Sequence, residues 1–210
     1  MLFYVIVVRF LNLICPYGDM HCSIYLFRHG QTYFNRDKRF TGWKDSKLTP
    51  KGIQDAKKVA LLLKDKTFQV AYQTRLSRSK DTLKYVVKFH PECREIIVDD
   101  RMIERNYGDL SGKYHQKIIG KYGREQFDIW HRSYDHPPPH GESIKMVEKR
   151  VNAFIKDLLK KIKKEKVNVA ISAHGNSMRP FRKYFEGLTT SQMMKLENPW
   201  DDFFEYKVKV

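Results

Sequence analysis

The sequence predicts an α/β fold with three layers, in which a mostly parallel sheet is flanked by helices and carries a small helical cap. Three observations lead to this prediction. Apolar, strand-like runs alternate with amphipathic segments, a histidine directly follows two of those runs, and one stretch rich in glycine and proline interrupts the alternation. Strands separated by helices form largely parallel sheets with helices on both faces.

The first half of the chain supplies three predicted strands and two predicted helices. Thr49 and Pro50 form a helix start, because threonine is a good N-cap and proline fits the first helical position. The apolar residues of that helix recur on one face up to about Leu63. The predicted elements lie, in order, over residues 23–27, 50–63, 68–72, 76–89 and 95–98.

The second half begins with short helical pieces that glycines separate and the Pro137-Pro138-Pro139 run ends. We expect this stretch, within about residues 107–141, to form the cap. A long helix follows, in which apolar residues recur at steps of three and four. The remaining predicted elements lie over residues 143–162, 167–173, 177–185 and 203–208.

Chain length and cysteine content favour one domain in a reducing compartment. The chain has 210 residues and three cysteines, without paired or metal-ligand spacing. Residues 1–19 form an apolar extension, too short as an uninterrupted run to span a bilayer. We expect residues 20–210 to form the domain, the extension to be absent from the mature protein, as after an upstream start codon, and the protein to be cytoplasmic. A membrane-associating role for the extension is the alternative.

The chain is strongly basic, with 40 Lys and Arg residues against 24 Asp and Glu residues and a net charge of +16. Such a surface attracts nucleic acids, acidic membranes or small polyanions. The lysine run at residues 160–164 lies on a helix with its own apolar stripe, and no aromatic-interleaved basic motif is present. We therefore expect no dedicated nucleic-acid or membrane partner.

Three polar clusters follow predicted strands. Arg28-His29-Gly30 ends the first strand, Glu104-Arg105 follows the third, and His174-Gly175 ends the fourth. Ligands of open α/β sheets bind at the carboxyl ends of strands. An imidazole attacks phosphorus, a guanidinium grips phosphate oxygens and a carboxylate moves protons. These residue types predict phosphoryl transfer through histidine.

A zinc site is the alternative use of His29, His174 and Glu104, which are suitable ligand types. The neighbouring arginines argue against it, because they repel a cation and attract phosphate. We expect no metal. The other histidines, at positions 21, 90, 115, 131, 136 and 140, are predicted to lie at the surface or in turns.

The chain resembles the histidine phosphatase superfamily and, within it, the cofactor-dependent phosphoglycerate mutases. The superfamily motif is Leu26 to Thr32 with Asn35, together with His174-Gly175. The mutase motifs are Phe40-Thr41-Gly42-Trp43, Glu104-Arg105-Asn106-Tyr107-Gly108 and His174 to Arg179. The match covers roughly residues 22–208.

The resemblance implies roles for individual residues. His29 is the implied nucleophile, Glu104 the acid and base, and Arg28, Arg78 and His174 stabilise the transferred phosphoryl group. Further residues are implied to bind the substrate: Asn35, Thr41, Gly42, Arg105, Tyr107, Lys113, Arg132, Gly175 and Asn176.

The chain departs from the mutase pattern in the cap. His131 stands where many mutases have the first of two arginines, so that only Arg132 matches. The expected lysine is Lys113 or Lys117, and His115 occupies its register. Gly141-Glu142-Ser143 matches a motif that shorter members, including phosphatases, share.

The resemblance implies interconversion of 3-phosphoglycerate and 2-phosphoglycerate, with 2,3-bisphosphoglycerate as the priming phosphoryl donor. The alternative is a phosphomonoester phosphatase that uses the same catalytic residues. The expected partners are a small anionic phosphate ester and further copies of the chain in a homo-oligomer.

Overall fold

A computed structural model describes residues 20–210, and the predicted extension over residues 1–19 lies outside them. Five strands occupy His21–Arg28 (β1), Val70–Gln73 (β2), Glu95–Val98 (β3), Val169–Ala173 (β4) and Phe203–Lys209 (β5). Eight helices occupy Tyr33–Arg36 (α1), Pro50–Leu63 (α2), Ser77–Val87 (α3), His115–Tyr122 (α4), Arg124–Arg132 (α5), Ile144–Glu165 (α6), Gly175–Glu186 (α7) and Thr190–Met194 (α8). Short 3-10 turns lie at Asp100–Met102 and Gly108–Leu110.

The five strands form one sheet in the order β3-β2-β4-β1-β5. The pairs β2–β3, β2–β4 and β1–β4 are parallel, and β5 alone runs antiparallel, against β1. The predicted α/β class and mostly parallel sheet are confirmed. The strand predicted over 68–72 instead spans Val70–Gln73, and the one predicted from 167 begins at Val169.

Helices cover both faces of the sheet because its central strands are apolar on both sides. In β1, Ile24 and Leu26 join the core that includes Phe154 of α6 and Phe181 of α7. The alternate residue Phe27 joins the core on the other face, with Leu63 of α2. Successive strand side chains point to opposite faces, so this pattern builds the three layers.

The segment assigned to the cap contains α4, α5 and the second 3-10 turn, and it has an apolar cluster of its own. Phe40, Tyr107, Leu110, Ile118 and Phe127 form that cluster. Two backbone bonds join the cap to the loop after α1, since Phe40 N donates to Lys113 O at 3.0 Å and Gly112 N to Phe40 O at 2.6 Å. Among residues 20–210, no helix is long and apolar enough to cross a membrane.

Candidate active site

The two histidines of the polar clusters lie side by side at one edge of the sheet. β1 and β4 are parallel neighbours, with Arg28 opposite Ala173, so the residues that follow these two are adjacent. The backbone N–H of His29 donates to the backbone carbonyl oxygen of Ala173 at 3.1 Å. The two imidazole centroids are 5.0 Å apart. The sheet register therefore sets the spacing of the pair.

His29 is held as a neutral imidazole with one free nitrogen. Its Nδ1 donates to the carbonyl oxygen of Gly30 at 2.8 Å, which leaves the lone pair on Nε2. Burial holds the pKa of His29 well below its usual value, and the nearby Arg78 and Arg28 guanidiniums lower it further. A neutral imidazole with an available lone pair is the form that attacks phosphorus.

Gly30 is required for packing rather than for binding an anion. Its N–H donates to Thr82 Oγ1 at 3.1 Å and is therefore already paired within the protein. A Cβ at Gly30 would overlap the backbone carbonyl of Gly52, the third residue of α2. The glycine lets the chain after β1 lie directly against that helix.

His174 lies at the start of α7 and is also neutral. Its Nε2 lies 2.8 Å from Thr74 Oγ1, and its Nδ1 is buried without a hydrogen-bond partner among residues 20–210. Burial, followed by the Arg78 charge and then His29, holds its pKa well below the usual value. A buried polar atom without a partner costs free energy that a hydrogen bond to a bound ligand would restore.

Arg78 is a fully buried cation in the first turn of α3. Its Nη2 donates to Gly42 O at 2.8 Å and its Nη1 to Lys44 O at 3.1 Å, while the Asp45 carboxylate lies 3.8 Å away. Burial lowers the pKa of Arg78 to about 10, so it remains charged at neutral pH. Its Nε has no partner within the described part of the chain.

Arg28 presents a second guanidinium beside the histidines. Its Nη1 donates to Asn198 O at 3.1 Å, and its Cζ lies 4.9 Å from the Trp200 ring centroid. Its Nε also lacks a partner among the described residues. Two arginines whose buried Nε atoms are unpaired match the donor pattern that phosphate oxygens need.

Glu104 is fixed by the backbone around it. Its Oε1 accepts from Arg105 N at 2.7 Å and from Asn176 N, in the first turn of α7, at 3.3 Å. Its carbonyl oxygen accepts from Trp43 Nε1 at 2.8 Å and from Arg150 Nη2 at 3.1 Å. The carboxylate thus lies on the His174 side of the site, in position to exchange a proton with a reacting oxygen.

A cavity of about 320 Å³ opens beside these groups. Arg28, Glu104 and Gly175 line it, whereas His29, His174 and Arg78 are at most 1% exposed and contribute nothing to its lining. The His29 imidazole is therefore shielded from bulk water. The remaining lining residues are Asn35, Lys38, Arg39, Phe40, Thr41, Tyr107, His115, His131, Arg132, Asn176, Arg179, Met194, Glu197, Asn198 and Trp200.

Six of the nine predicted substrate-binding residues line this cavity, namely Asn35, Thr41, Tyr107, Arg132, Gly175 and Asn176. Gly42 instead contributes its carbonyl oxygen to Arg78. The Tyr107 hydroxyl accepts from Asn176 Nδ2 at 3.3 Å, and burial raises the pKa of Tyr107, so its hydroxyl stays protonated.

The other two predicted binding residues are elsewhere. Arg105 is fully buried beneath the cap, where its guanidinium donates to the carbonyl oxygens of Glu142, His131 and His136. Lys113 is exposed and absent from the lining, because its backbone is paired with Phe40 and the next turn brings His115 to the cavity. The structure thus places the Arg105 guanidinium among carbonyl oxygens of the cap and the Lys113 side chain at the surface, so the substrate role of these two residues stays a prediction.

Several lining residues were not predicted. Arg179 lies three residues after Asn176 on α7, and that spacing alone indicates a shared face. His115 and His131 were expected at the surface or in turns and instead lie on helices and line the cavity. His90, for which the same was expected, directly follows the turn after α3 and is 2% exposed against the Phe68 ring. The C-terminal segment 194–200 carries no local signal for its place at the cavity.

Metal ligands are not grouped in this part of the molecule. Within residues 20–210, no cluster of three or more His, Cys, Asp or Glu side chains is arranged to bind a metal ion. The charge beside the histidines is instead supplied by guanidiniums.

Comparison with known sequences identifies relatives over most of the chain. The family model described as histidine phosphatase superfamily (branch 1) matches residues 24–201. A protein of Parvibaculum lavamentivorans is 41% identical over 175 residues, which cover 81% of this chain and 83% of the relative. A protein of Brucella melitensis biotype 2 is 39% identical over 181 residues, covering 85% and 88%. Both relatives are named 2,3-bisphosphoglycerate-dependent phosphoglycerate mutase.

Solved structures share the fold at lower identity. The α-ribazole phosphatase from Shigella flexneri superposes with a TM-score of 0.75 at 22% identity, covering 87% of this chain and 89% of that chain. A phosphoglycerate mutase from Bacillus anthracis gives a TM-score of 0.69 at 20% identity, covering 90% and 93%. The same fold thus carries both kinds of named activity.

Proposed function

This chain belongs to the histidine phosphatase superfamily, and on that premise we propose that it is a phosphoglycerate mutase primed by 2,3-bisphosphoglycerate. The observation that carries the proposal is the cavity's charge, which comes from two groups of cations. Arg28 lines the cavity beside the histidines, with the buried Arg78 close to both imidazoles but outside the lining, and a second group of lining cations, Lys38, Arg39, Arg132 and Arg179, comes from other elements. A substrate with two anionic ends matches such a cavity.

The residues present fit the priming donor. The Nε atoms of Arg28 and Arg78 and the Nδ1 of His174 are buried without partners among the described residues, and phosphate oxygens would satisfy them. When bound, 2,3-bisphosphoglycerate supplies the phosphoryl group that His29 carries. Its second anionic end would meet the second group of cations.

His29 performs the transfer in this proposal. A bond forms between Nε2 and phosphorus as the bond from phosphorus to the ester oxygen breaks, and Glu104 gives a proton to that oxygen. Arg28, Arg78 and His174 stabilise the charge on the three peripheral oxygens. In the return transfer, Glu104 takes the proton from the incoming hydroxyl group and His29 regains its lone pair.

Burial of the nucleophile favours transfer to a hydroxyl group over hydrolysis. His29 is 1% exposed in the ligand-free protein, so water reaches the imidazole only by way of the cavity that the substrate would occupy. A phosphatase needs water at this point, whereas a mutase must exclude it. This contrast separates the two activities that the same catalytic residues support.

A phosphomonoester phosphatase is the second candidate. The cap favours it, because His115 and His131 replace permanent cations at the cavity wall and thereby weaken the second anion-binding group. If the protein held only the phosphate end of its substrate firmly, many phosphate monoesters would fit the cavity. The intermediate would then not be oriented for the return transfer of a phosphoryl group from His29.

Phosphorus NMR distinguishes the two. Purified protein is given 3-phosphoglycerate, with and without a trace of 2,3-bisphosphoglycerate, beside a His29→Ala control. We expect 2-phosphoglycerate to appear, to be stimulated by the bisphosphate and to be absent from the control. Release of inorganic phosphate in place of 2-phosphoglycerate would overturn the mutase and establish the phosphatase.

A further inference from the structure

Two histidines face each other across the cap side of the cavity. His115 lies in the first turn of α4 and His131 near the end of α5, and their ring centroids are 5.2 Å apart. Phe40 lies 4.5 Å from His115 and 5.6 Å from His131, and Phe127 lies 5.2 and 5.1 Å from them. The two imidazoles thus stand among aromatic rings with one edge on the cavity.

His131 has hydrogen-bonding capacity that the described part of the protein does not use. His131 Nδ1 is buried and has no hydrogen-bond partner among residues 20–210. Polar atoms buried in this way are normally paired, and the unpaired state costs free energy. Because both residues line the cavity, a ligand oxygen is the partner that the geometry allows.

The groups around the pair are mostly cationic. Lys38 faces His115 from the segment after α1. His131 is influenced by Arg132 on its own helix, by Arg105 beneath the cap and by Arg179 on α7, and the only nearby carboxylate among these contacts is that of Asp128 on α5. Burial and these charges hold the pKa of His115 below its usual value and lower the pKa of His131 to about 4.

An anion in the cavity reverses this balance. It offsets the field of the cations, and it gains more from an imidazolium than from an imidazole. The pair is therefore neutral in the free protein at pH 7. An anion that enters the cavity raises the pKa of these imidazoles and so favours binding of a proton.

We propose that His115 and His131 bind the carboxylate of the substrate, at the end opposite the transferred phosphoryl group, and take up a proton from solvent as they do so. The inference rests on the proposed function, which supplies a substrate with a carboxylate at that end. It adds that specificity for this group is coupled to pH. A phosphate ester without the carboxylate drives no such uptake.

Two matched ligands test this coupling. 3-Phosphoglycerate and glycerol 3-phosphate differ in having a carboxylate or a hydroxymethyl group, and each carries one phosphate monoester. Titration calorimetry in two buffers of different ionisation enthalpy, near pH 6.5, gives the protons taken up with each ligand. A His29→Gln background prevents turnover of either ligand.

We expect 3-phosphoglycerate to take up several tenths of a proton more than glycerol 3-phosphate does. Its affinity relative to glycerol 3-phosphate is expected to rise about threefold to tenfold from pH 8 to pH 6. Both differences disappear in the variant His115→Gln/His131→Gln and persist in His140→Gln, which changes an exposed histidine of the cap. His131→Arg is expected to bind 3-phosphoglycerate with a smaller uptake, since arginine is already charged.

Equal proton uptake with 3-phosphoglycerate and glycerol 3-phosphate would overturn the proposal that the two histidines bind the carboxylate. So would a larger uptake with 3-phosphoglycerate that persists in His115→Gln/His131→Gln. The outcome is separable from the proposed function. Formation of 2-phosphoglycerate without the proton excess overturns the pair alone, whereas the excess together with release of inorganic phosphate overturns the mutase alone.

Discussion

The guanidinium of Arg78 donates to the carbonyl oxygen of Gly42 at 2.8 Å, and this bond ties helix α3 to the loop that lines the cavity. Gly42 has a φ of +55°, and a Cβ there would lie 2.7 Å from Ser111 Oγ. The loop conformation that offers this carbonyl oxygen to Arg78 therefore depends on glycine. A fully buried cation is fixed by backbone acceptors, with its Nε left for a ligand.

We predict that Arg78→Lys lowers kcat by about 100-fold to 1,000-fold. An ammonium group retains the charge but cannot donate in the planar pattern that serves both carbonyl oxygens and a phosphate. Steady-state kinetics with the substrate that turns over in the NMR experiment measures the loss, and circular dichroism checks the fold.

Arg75→Lys is the matched control. The Arg75 side chain is 50% exposed, pairs with Asp100 at 2.7 Å and stacks on Trp43. We expect kcat within about twofold of the parent, because exposed ion pairs contribute little. Similar kcat values for the two variants would show that Arg78 acts only as a structural cation.

Protein stability should fall as the pH drops from 7 to 5. His29 and His174 have pKa values well below those of unfolded histidine, so the unfolded chain binds protons in this range and the folded protein does not. Each such histidine lowers the free energy of unfolding by up to about 1.4 kcal/mol per pH unit below pH 6.5. Urea unfolding at pH 7.5, 6.5 and 5.5 measures the slope.

The same series with His29→Gln tests the assignment to a particular residue. In His29→Gln, the dependence of the unfolding free energy on pH is expected to be shallower by an amount that corresponds to about one proton. His140→Gln, which changes an exposed histidine, should leave this dependence unchanged. A slope that His29→Gln does not alter would mean that the imidazole is protonated in the folded protein.

Local sequence signals predicted the placement of the two histidines because short-range geometry determines it. The Thr49 side chain caps α2 as expected, accepting from Gly52 N at 3.0 Å. The two histidines each follow a strand of a parallel sheet, and parallel neighbours end at the same edge. Their meeting therefore needs only the strand order in addition to the motifs.

The cap could not be predicted at the same level. Whether Lys113 or His115 faces the cavity depends on where α4 begins and on the pairing of Phe40 with Lys113, a contact across 73 residues. Trp200 reaches Arg28 across an even longer separation. Nothing in the local pattern of either segment encodes such contacts, and helix boundaries are the least certain part of sequence reasoning.

The open edge of the sheet leads us to predict self-association. β3 is an edge strand, and its Ile96 and Val98 side chains are 49% and 52% exposed on the same face. Exposed apolar edges favour pairing with another copy. We expect light scattering to show a dimer or larger oligomer, and Ile96→Lys to shift it toward the monomer. An unchanged mass for Ile96→Lys would place the contact elsewhere.

The integrity of the cap should depend on Arg105. Its Nε donates to Glu142 O at 2.6 Å, and its two terminal nitrogens donate to His131 O at 3.3 Å and His136 O at 3.5 Å. Arg105→Met keeps most of the volume but leaves these carbonyl oxygens without a donor. We predict a loss of about 1–3 kcal/mol in the free energy of unfolding.

Arg124→Met is the control for Arg105→Met. Arg124 lies on α5, its side chain is 69% exposed, and it pairs with Asp128 at 2.7 Å. We expect the free energy of unfolding of this variant to change by less than about 1 kcal/mol.

Under the proposed function, a loosened cap admits water to the phosphorylated His29, so Arg105→Met should also raise the ratio of inorganic phosphate to 2-phosphoglycerate in the NMR experiment. If Arg105→Met is destabilised but keeps the parent's product ratio, water is excluded by the burial of His29 at the edge of the sheet after β1 and not by the cap.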